Sequence, residues 1–287
     1  MTTIQQESVA QSVGLPPLLI EALRVAQTVQ MGVHGRRRVG GGDSFWQFRN
    51  YEGTDAASMI DWRQSARGDT LYVRQREWEA VQTVYLWTDS SGSMHYKSRD
   101  ALPLKTERAH VLMLALAHLL LRGGERTVWL RPEPIVTKSP SGFNMLAAHV
   151  LPPPHDTHSL PPPIAFIAHA HMVLCGDFLA DPEMWRKRLQ GYAALNMRGA
   201  LLHIADPEEA SPSFQGRVKV SGLESEPSLV LPQAQAVHGA YRERFAAHKT
   251  MLQDMAQGIG WSFHHHVTDR PVAPTLLNII QTLTTRR

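Results

Sequence analysis

The chain has 287 residues, 43% of them hydrophobic and 19% charged, with a formal net charge of +3 and a pI near 9.1. It is long enough to bury a full core, and its charge is too modest to mark nucleic acid or a membrane surface as the partner. Cys175 is the only cysteine, which excludes a disulfide within the chain and a thiolate metal cluster.

Residues 1–14 are polar and rich in Gln and Ser, a loose tail without the basic and apolar blocks of a secretory signal. From Pro16 to Met31, Leu19, Ile20, Leu23 and Ala26 recur at helical spacing. Arg36-Arg37-Arg38 and Gly40-Gly41-Gly42 follow as a basic, flexible joint, and residues 43–70 mix polar and aromatic side chains without clean periodicity. Strand signals begin at Leu71–Arg74 and strengthen at Val81–Thr88, which is apolar on both faces as a central covered strand must be.

A helix is predicted over Leu104–Arg122, stopped by Gly123-Gly124. Its apolar run, Ala109–Leu121, contains His110 and His118 and is too short to span a bilayer. The expectation is therefore a cytoplasmic protein without membrane insertion. Strands are predicted at Arg126–Leu130 and Ile135–Lys138, and a proline-rich loop at 151–163. The strand His171–Gly176 precedes a helix that Asp181 caps and Pro182 opens. Another strand covers Arg198–Ala205, then comes an irregular stretch over 206–235. A helix over 236–257, a strand over 261–267 and a helix over 272–285 complete the chain. Alternation of strand and helix predicts an α/β fold, an open and mainly parallel sheet with helices on both faces.

The chemistry concentrates after the strand at 81–88, in Asp89-Ser90-Ser91-Gly92-Ser93-Met94. Asp89, Ser91 and Ser93 place a carboxylate and two hydroxyls on a tight loop at the carboxyl end of a strand, where open α/β sheets bind ligands. Hard oxygen donors of this kind suit a hydrated Mg²⁺. Asp177 stands in the same relation to the strand at 171–176, so neighbouring parallel strands would bring both carboxylates to one edge. Thr157 in the proline-rich loop is a candidate to add a third hydroxyl, with Thr137, Ser139 and Ser141 as competitors. Taken alone, Asp-x-Ser-x-Ser also fits a polar turn, because Asp and Ser commonly make turns and caps.

Other chemistries fit less well. A nucleophile elbow needs Gly-x-Ser-x-Gly, whereas Asp89 and Ser93 stand where the glycines belong. A haloacid-type nucleophile needs a second carboxylate at position 91, which is serine. His264-His265-His266 alternates between strand faces and so does not converge on a zinc ion. The glycines at 40–42 lack the lysine and hydroxyl of a phosphate loop. Cys175, in a buried strand, reads as a small hydrophobe.

The loop and Asp177 resemble the metal-ion-dependent adhesion site of the von Willebrand factor A fold. By that resemblance, Thr157 and Asp177 take the later metal-binding roles, and the cation leaves a coordination position for an acidic side chain of a partner. A second resemblance lies upstream, in Phe45–Tyr51, Ile60–Arg67 and Leu71–Glu77. These segments are similar to the signature of the domain-of-unknown-function 58 proteins, bacterial proteins with a von Willebrand A-like domain that are associated with MoxR-type AAA+ ATPases. Thr54-Asp55 and Ser58 depart from it, where that family tends to have Gly-Asp and an arginine. The segment also carries Arg49, Asp61, Arg63, Arg67, Arg74, Arg76, Glu77 and Glu79, read as an internal ion-pair lattice with a partner-facing basic surface as the alternative, and Trp62 and Trp78 are expected to pack.

Together these readings give a tail at 1–14, an extension at 15–78 and a von Willebrand A-like domain at 79–287. They imply a non-enzymatic protein-interaction module that uses Mg²⁺, or Mn²⁺ or Ca²⁺, bound by Asp89, Ser91, Ser93, Thr157 and Asp177. The implied partner is a MoxR-type AAA+ ATPase or its client. The alternative is a metal-assisted hydrolase using the same carboxylates.

Overall fold

The computed structural model describes residues 16–34, 45–52, 58, 60–66, 68, 70–76, 81–153, 159–221 and 228–284. In chain order the elements are α1 (Pro17–His34), β1 (Phe45–Asn50), α2 (Trp62–Ser65), β2 (Tyr72–Arg76), β3 (Thr83–Thr88), α3 (Lys105–Arg122), β4 (Arg126–Trp129) and β5 (Ile135–Thr137). There follow α4 (Phe143–Val150), β6 (His171–Gly176), α5 (Pro182–Ala194), β7 (Arg198–Ala205), α6 (Pro207–Ala210), β8 (Val218–Val220), β9 (Leu229–Leu231), α7 (His238–Gly258), β10 (Ser262–Val267) and α8 (Val272–Thr284).

Two units divide the chain: Met1–Arg36 with Gln82–Arg287, and Arg37–Val81. The larger unit is built on a six-stranded sheet of order β10-β7-β6-β3-β4-β5. Every pairing in it is parallel except β4 with β5. The alternation of strand and helix in the sequence therefore yields the mainly parallel, helix-flanked α/β sheet it predicts.

Side-chain alternation along the strands separates two apolar layers. Val84, Leu86, Val173, Cys175, Leu202 and Ile204 face α1, α3, α4 and α8. Tyr85, Trp87, Met172, Leu174 and Leu201 face the other way, onto Trp185, Leu189 and Tyr192 of α5 and Leu252 and Ala256 of α7. This double cover explains why β3 and β6 read as continuous apolar runs.

Helix α1 belongs to this larger unit. Leu19, Ala22, Ala26 and Val29 are buried in the first layer, and Glu21 Oε1 accepts from Arg108 Nη1 of α3 at 2.8 Å. The periodicity identified the helix, but its apolar face is matched by the sheet unit, so it does not group with the segment that follows it. Helix α4 and strand β1 also lie where no regular element was expected.

In the smaller unit β1 pairs antiparallel with β2. Asp61 caps α2, with Gln64 N donating to its Oδ1 at 3.0 Å. Ser65 Oγ donates to Asp61 O at 2.8 Å and accepts from Tyr72 N at 2.9 Å, which ties α2 to β2. Asp61 thus serves as a helix cap. Trp62, expected to pack, is 64% exposed. Glu77, Trp78 and Glu79, together with the side chains of Arg49, Arg67, Arg74 and Arg76, lie outside the described residues.

Candidate metal-binding site

The order of the sheet fixes where a ligand can sit. β3 leads through α3 to β4 on one side, whereas β6 lies on its other side and leads away to β7. The crevice beyond the carboxyl ends of β3 and β6 is the switch point at which open α/β sheets bind ligands. Asp89 follows β3 and Asp177 follows β6, and the strands are in register, with Thr88 opposite Cys175. Asp89 N donates to Cys175 O at 2.8 Å, so the pairing extends into the loop itself.

Asp89, Ser91 and Asp177 are buried, at 0%, 2% and 3% exposure. Asp89 Oδ1 accepts from Ser91 N at 2.9 Å, a local turn that closes the loop. Ser91 Oγ and Ser93 Oγ lie 3.1 Å apart, and Ser93 Oγ donates to Asp177 Oδ2 at 2.7 Å. The loop after β3 and the carboxylate after β6 are therefore joined directly. Asp89, Ser91, Ser93 and Asp177 converge as the sequence predicts, whereas Thr157 lies outside the described residues.

The competitors for the third hydroxyl are elsewhere. Thr137 pairs with Thr127, which pairs with Val84, five residues before Asp89. Because β5 runs antiparallel, its carboxyl end lies at the opposite edge of the sheet, roughly 16 Å away along the strand direction alone. Ser139 Oγ and Ser141 Oγ bond each other there at 2.8 Å. These three residues are not part of the site.

The Asp89 carboxyl carries the site's main electrostatic cost. Burial, then the neighbouring Asp177 charge, push its pKa up to about 7. Its second oxygen, Oδ2, is buried and has no hydrogen-bond partner. A buried acceptor left unpaired is costly, and groups of this kind often mark an ion-binding position. Asp89 Oδ2 with the Ser91 and Ser93 hydroxyls is a hard-oxygen donor set that fits a divalent cation, with Asp177 beside it. Among the described residues no group of three or more His, Cys, Asp or Glu is arranged to hold a metal, so any cation here depends on the hydroxyls and on water.

Lys105 is the residue the sequence reading missed. It opens α3 at 0% exposure, and its Nζ donates to Asp177 Oδ2 at 2.9 Å and to Glu209 Oε1 at 2.7 Å. Burial disfavours its charge, but Asp177 and Glu209 more than offset this and raise its pKa. Glu209 belongs to Asp206-Pro207-Glu208-Glu209, which follows β7 as Asp89 follows β3. Asp206 is fully buried, capping α6 through Glu208 N at 2.9 Å and accepting from Ser98 N at 2.9 Å. An acidic residue at the end of a third parallel strand was the available signal.

Phe178, next to Asp177, has φ of 56°, unusual for a bulky residue. Its ring is buried edge-on against Trp185, with centroids 4.9 Å apart, which holds the strained turn. Leu179 then emerges 61% exposed beside the site. His264, His265 and His266 diverge, toward Ser262, His203 and Thr275 respectively.

Residues 47–144 match the family model described as "Protein of unknown function DUF58". No curated protein matches the chain. Among solved structures, the conserved hypothetical protein BatB from Bacteroides thetaiotaomicron is similar at 13% identity and a TM-score of 0.41, covering 70% of this chain and 97% of its own. An aerotolerance-related membrane protein from Bacteroides fragilis NCTC 9343 gives 13%, 0.41, 70% and 98% by the same measures. The SpRpn10 VWA domain gives 10% identity and a TM-score of 0.36, with 69% and 95% covered. No helix among the described residues is long and apolar enough to cross a membrane. The family match thus spans residues 47–144, and the larger unit carries a mainly parallel, helix-flanked α/β sheet.

Proposed function

We propose that this chain is a non-catalytic protein-interaction module whose binding surface is completed by a divalent cation. The observation that carries the reading is the buried, unpartnered Asp89 Oδ2 beside Ser91, Ser93 and Asp177 at the switch point of the sheet. Asp89, Ser91 and Ser93 would hold Mg²⁺, Mn²⁺ or Ca²⁺, with Asp177 nearby and Thr157 as the proposed further ligand. A bound cation would offer an open coordination position to a carboxylate of the partner. The exposed Leu179 supplies an apolar contact at the rim, the mix of buried anchor and polar contact that interfaces use.

The partner proposed is a MoxR-type AAA+ ATPase or its client, which rests on the family resemblance of the segment before the loop. The cation is tested first, by calorimetric titration of Mg²⁺ into chelator-treated protein and into Asp89→Ala. Binding to the parent that is lost in the variant is expected, and absence of binding to the parent sinks the reading. Retention of a MoxR-type ATPase on immobilised protein, lost on chelation and in Asp89→Ala, tests the partner.

A further inference from the structure

We propose that Lys105 is a resident cation of this site, competing with the divalent ion and setting how tightly, and with what charge preference, the site binds it. This rests on the divalent-cation reading above. The ammonium is fully buried and its bonds to Asp177 Oδ2 and Glu209 Oε1 span three elements: α3, the loop after β6, and α6. Asp177 Oδ2 is the same oxygen that accepts from Ser93 Oγ. The lysine charge and the serine loop therefore meet on one atom.

Charge balance gives the consequence. Lys105 sets one fixed, buried positive charge against Asp177, which lies beside Asp89, and shares that charge with the part-buried Glu209. Like-charge repulsion is strong away from water, so the fixed ammonium weakens any incoming cation in proportion to that cation's own charge. Lys105 holds Asp177 in place when no metal is bound and keeps the metal exchangeable when it is.

The test compares the parent with Lys105→Gln, which keeps a donor but loses the charge, and with Lys105→Met, titrating Mg²⁺ and then Tb³⁺ as probes. The expected result is binding at least roughly tenfold tighter for Mg²⁺ in both variants, with a larger gain for Tb³⁺. A merely structural lysine would not produce a gain that grows with ion charge. Equal or weaker binding in the variants overturns the inference while leaving the interaction-module reading intact. Binding by the variants alone supports the inference in its strongest form, in which the ammonium fills the native site, and overturns the metal-dependent reading. No binding by any of the three proteins overturns both. Should neither variant fold, the ¹⁵N resonance of the Lys105 Nζ in the parent decides: a shift on adding Mg²⁺ supports competition, and an unmoved resonance overturns it.

Discussion

Gly176 lies against Asp89 so closely that a methyl group on it would stand 2.6 Å from Asp89 Cβ and 2.9 Å from Asp89 Oδ2. Glycine is required here by the approach of one strand end to the other. Gly176→Ala is expected to push Asp89 out of the site. Overpacking of this kind costs about 1–3 kcal/mol, so the melting temperature should fall and Mg²⁺ binding should weaken with it. Calorimetric titration alongside thermal unfolding checks this, and unchanged binding would show that Asp89 does not need its present position.

Much of this arrangement could be read from the sequence because strand ends are local signals. An apolar run followed by Asp, as at 81–89 and 171–177, states both the strand and where its carboxylate goes. The Asp181-Pro182 helix start is similarly local, and Asp181 Oδ1 does accept from Glu183 N at 2.8 Å. Lys105 could not be read this way. A lysine opening a helix looks solvated until the fold brings Asp177 and Glu209 to it, across 72 and 104 residues of sequence. Helix α4 was hidden by its eight-residue length and proline-rich surroundings, and β1 by its lack of alternation.

Asp89→Asn separates stability from binding. Burial and Asp177 hold the folded Asp89 pKa at about 7, well above the ordinary carboxylate value of 3.8. An unfolded chain therefore releases this proton earlier, and native stability falls as pH rises through that window, reaching its full loss above about 7. Asparagine keeps the acceptor for Ser91 N and never carries the charge. Without metal, Asp89→Asn should be more stable than the parent by on the order of 1–3 kcal/mol at pH 8, and by less at pH 5. Its Mg²⁺ binding should be lost. Denaturant melts in chelator at the two pH values, paired with titration, check both halves.

His110 predicts an opposite pH dependence. It is fully buried in α3, its Nδ1 lies 2.8 Å from Thr106 O, and burial lowers its pKa from 6.5 to about 4. Between those values the unfolded chain binds a proton that the folded chain refuses, so stability is complete above pH 6.5 and falls as pH drops toward 4. The window corresponds to roughly 3 kcal/mol. His265 and His266, also lowered to about 4 by burial, add to the same loss. His110→Met removes only the first contribution. Its unfolding free energy should therefore fall less steeply than the parent's between pH 6.5 and 4.5, and parallel curves would assign the slope to the other histidines.

The third hydroxyl can be assigned by four single substitutions. Thr137, Ser139 and Ser141 sit beyond the far end of the sheet from Asp89, given the antiparallel pairing of β5 with β4. Alanine at any of these positions should leave Mg²⁺ affinity unchanged within error. Thr157→Ala should weaken it, by about tenfold for the loss of one neutral oxygen ligand from a site whose carboxylates remain. Ser93→Ala provides the calibration, because it removes both a candidate ligand and the 2.7 Å bond to Asp177. An affinity in Thr157→Ala equal to the parent's would leave Asp89, Ser91, Ser93 and water as the whole donor set and remove threonine from the site.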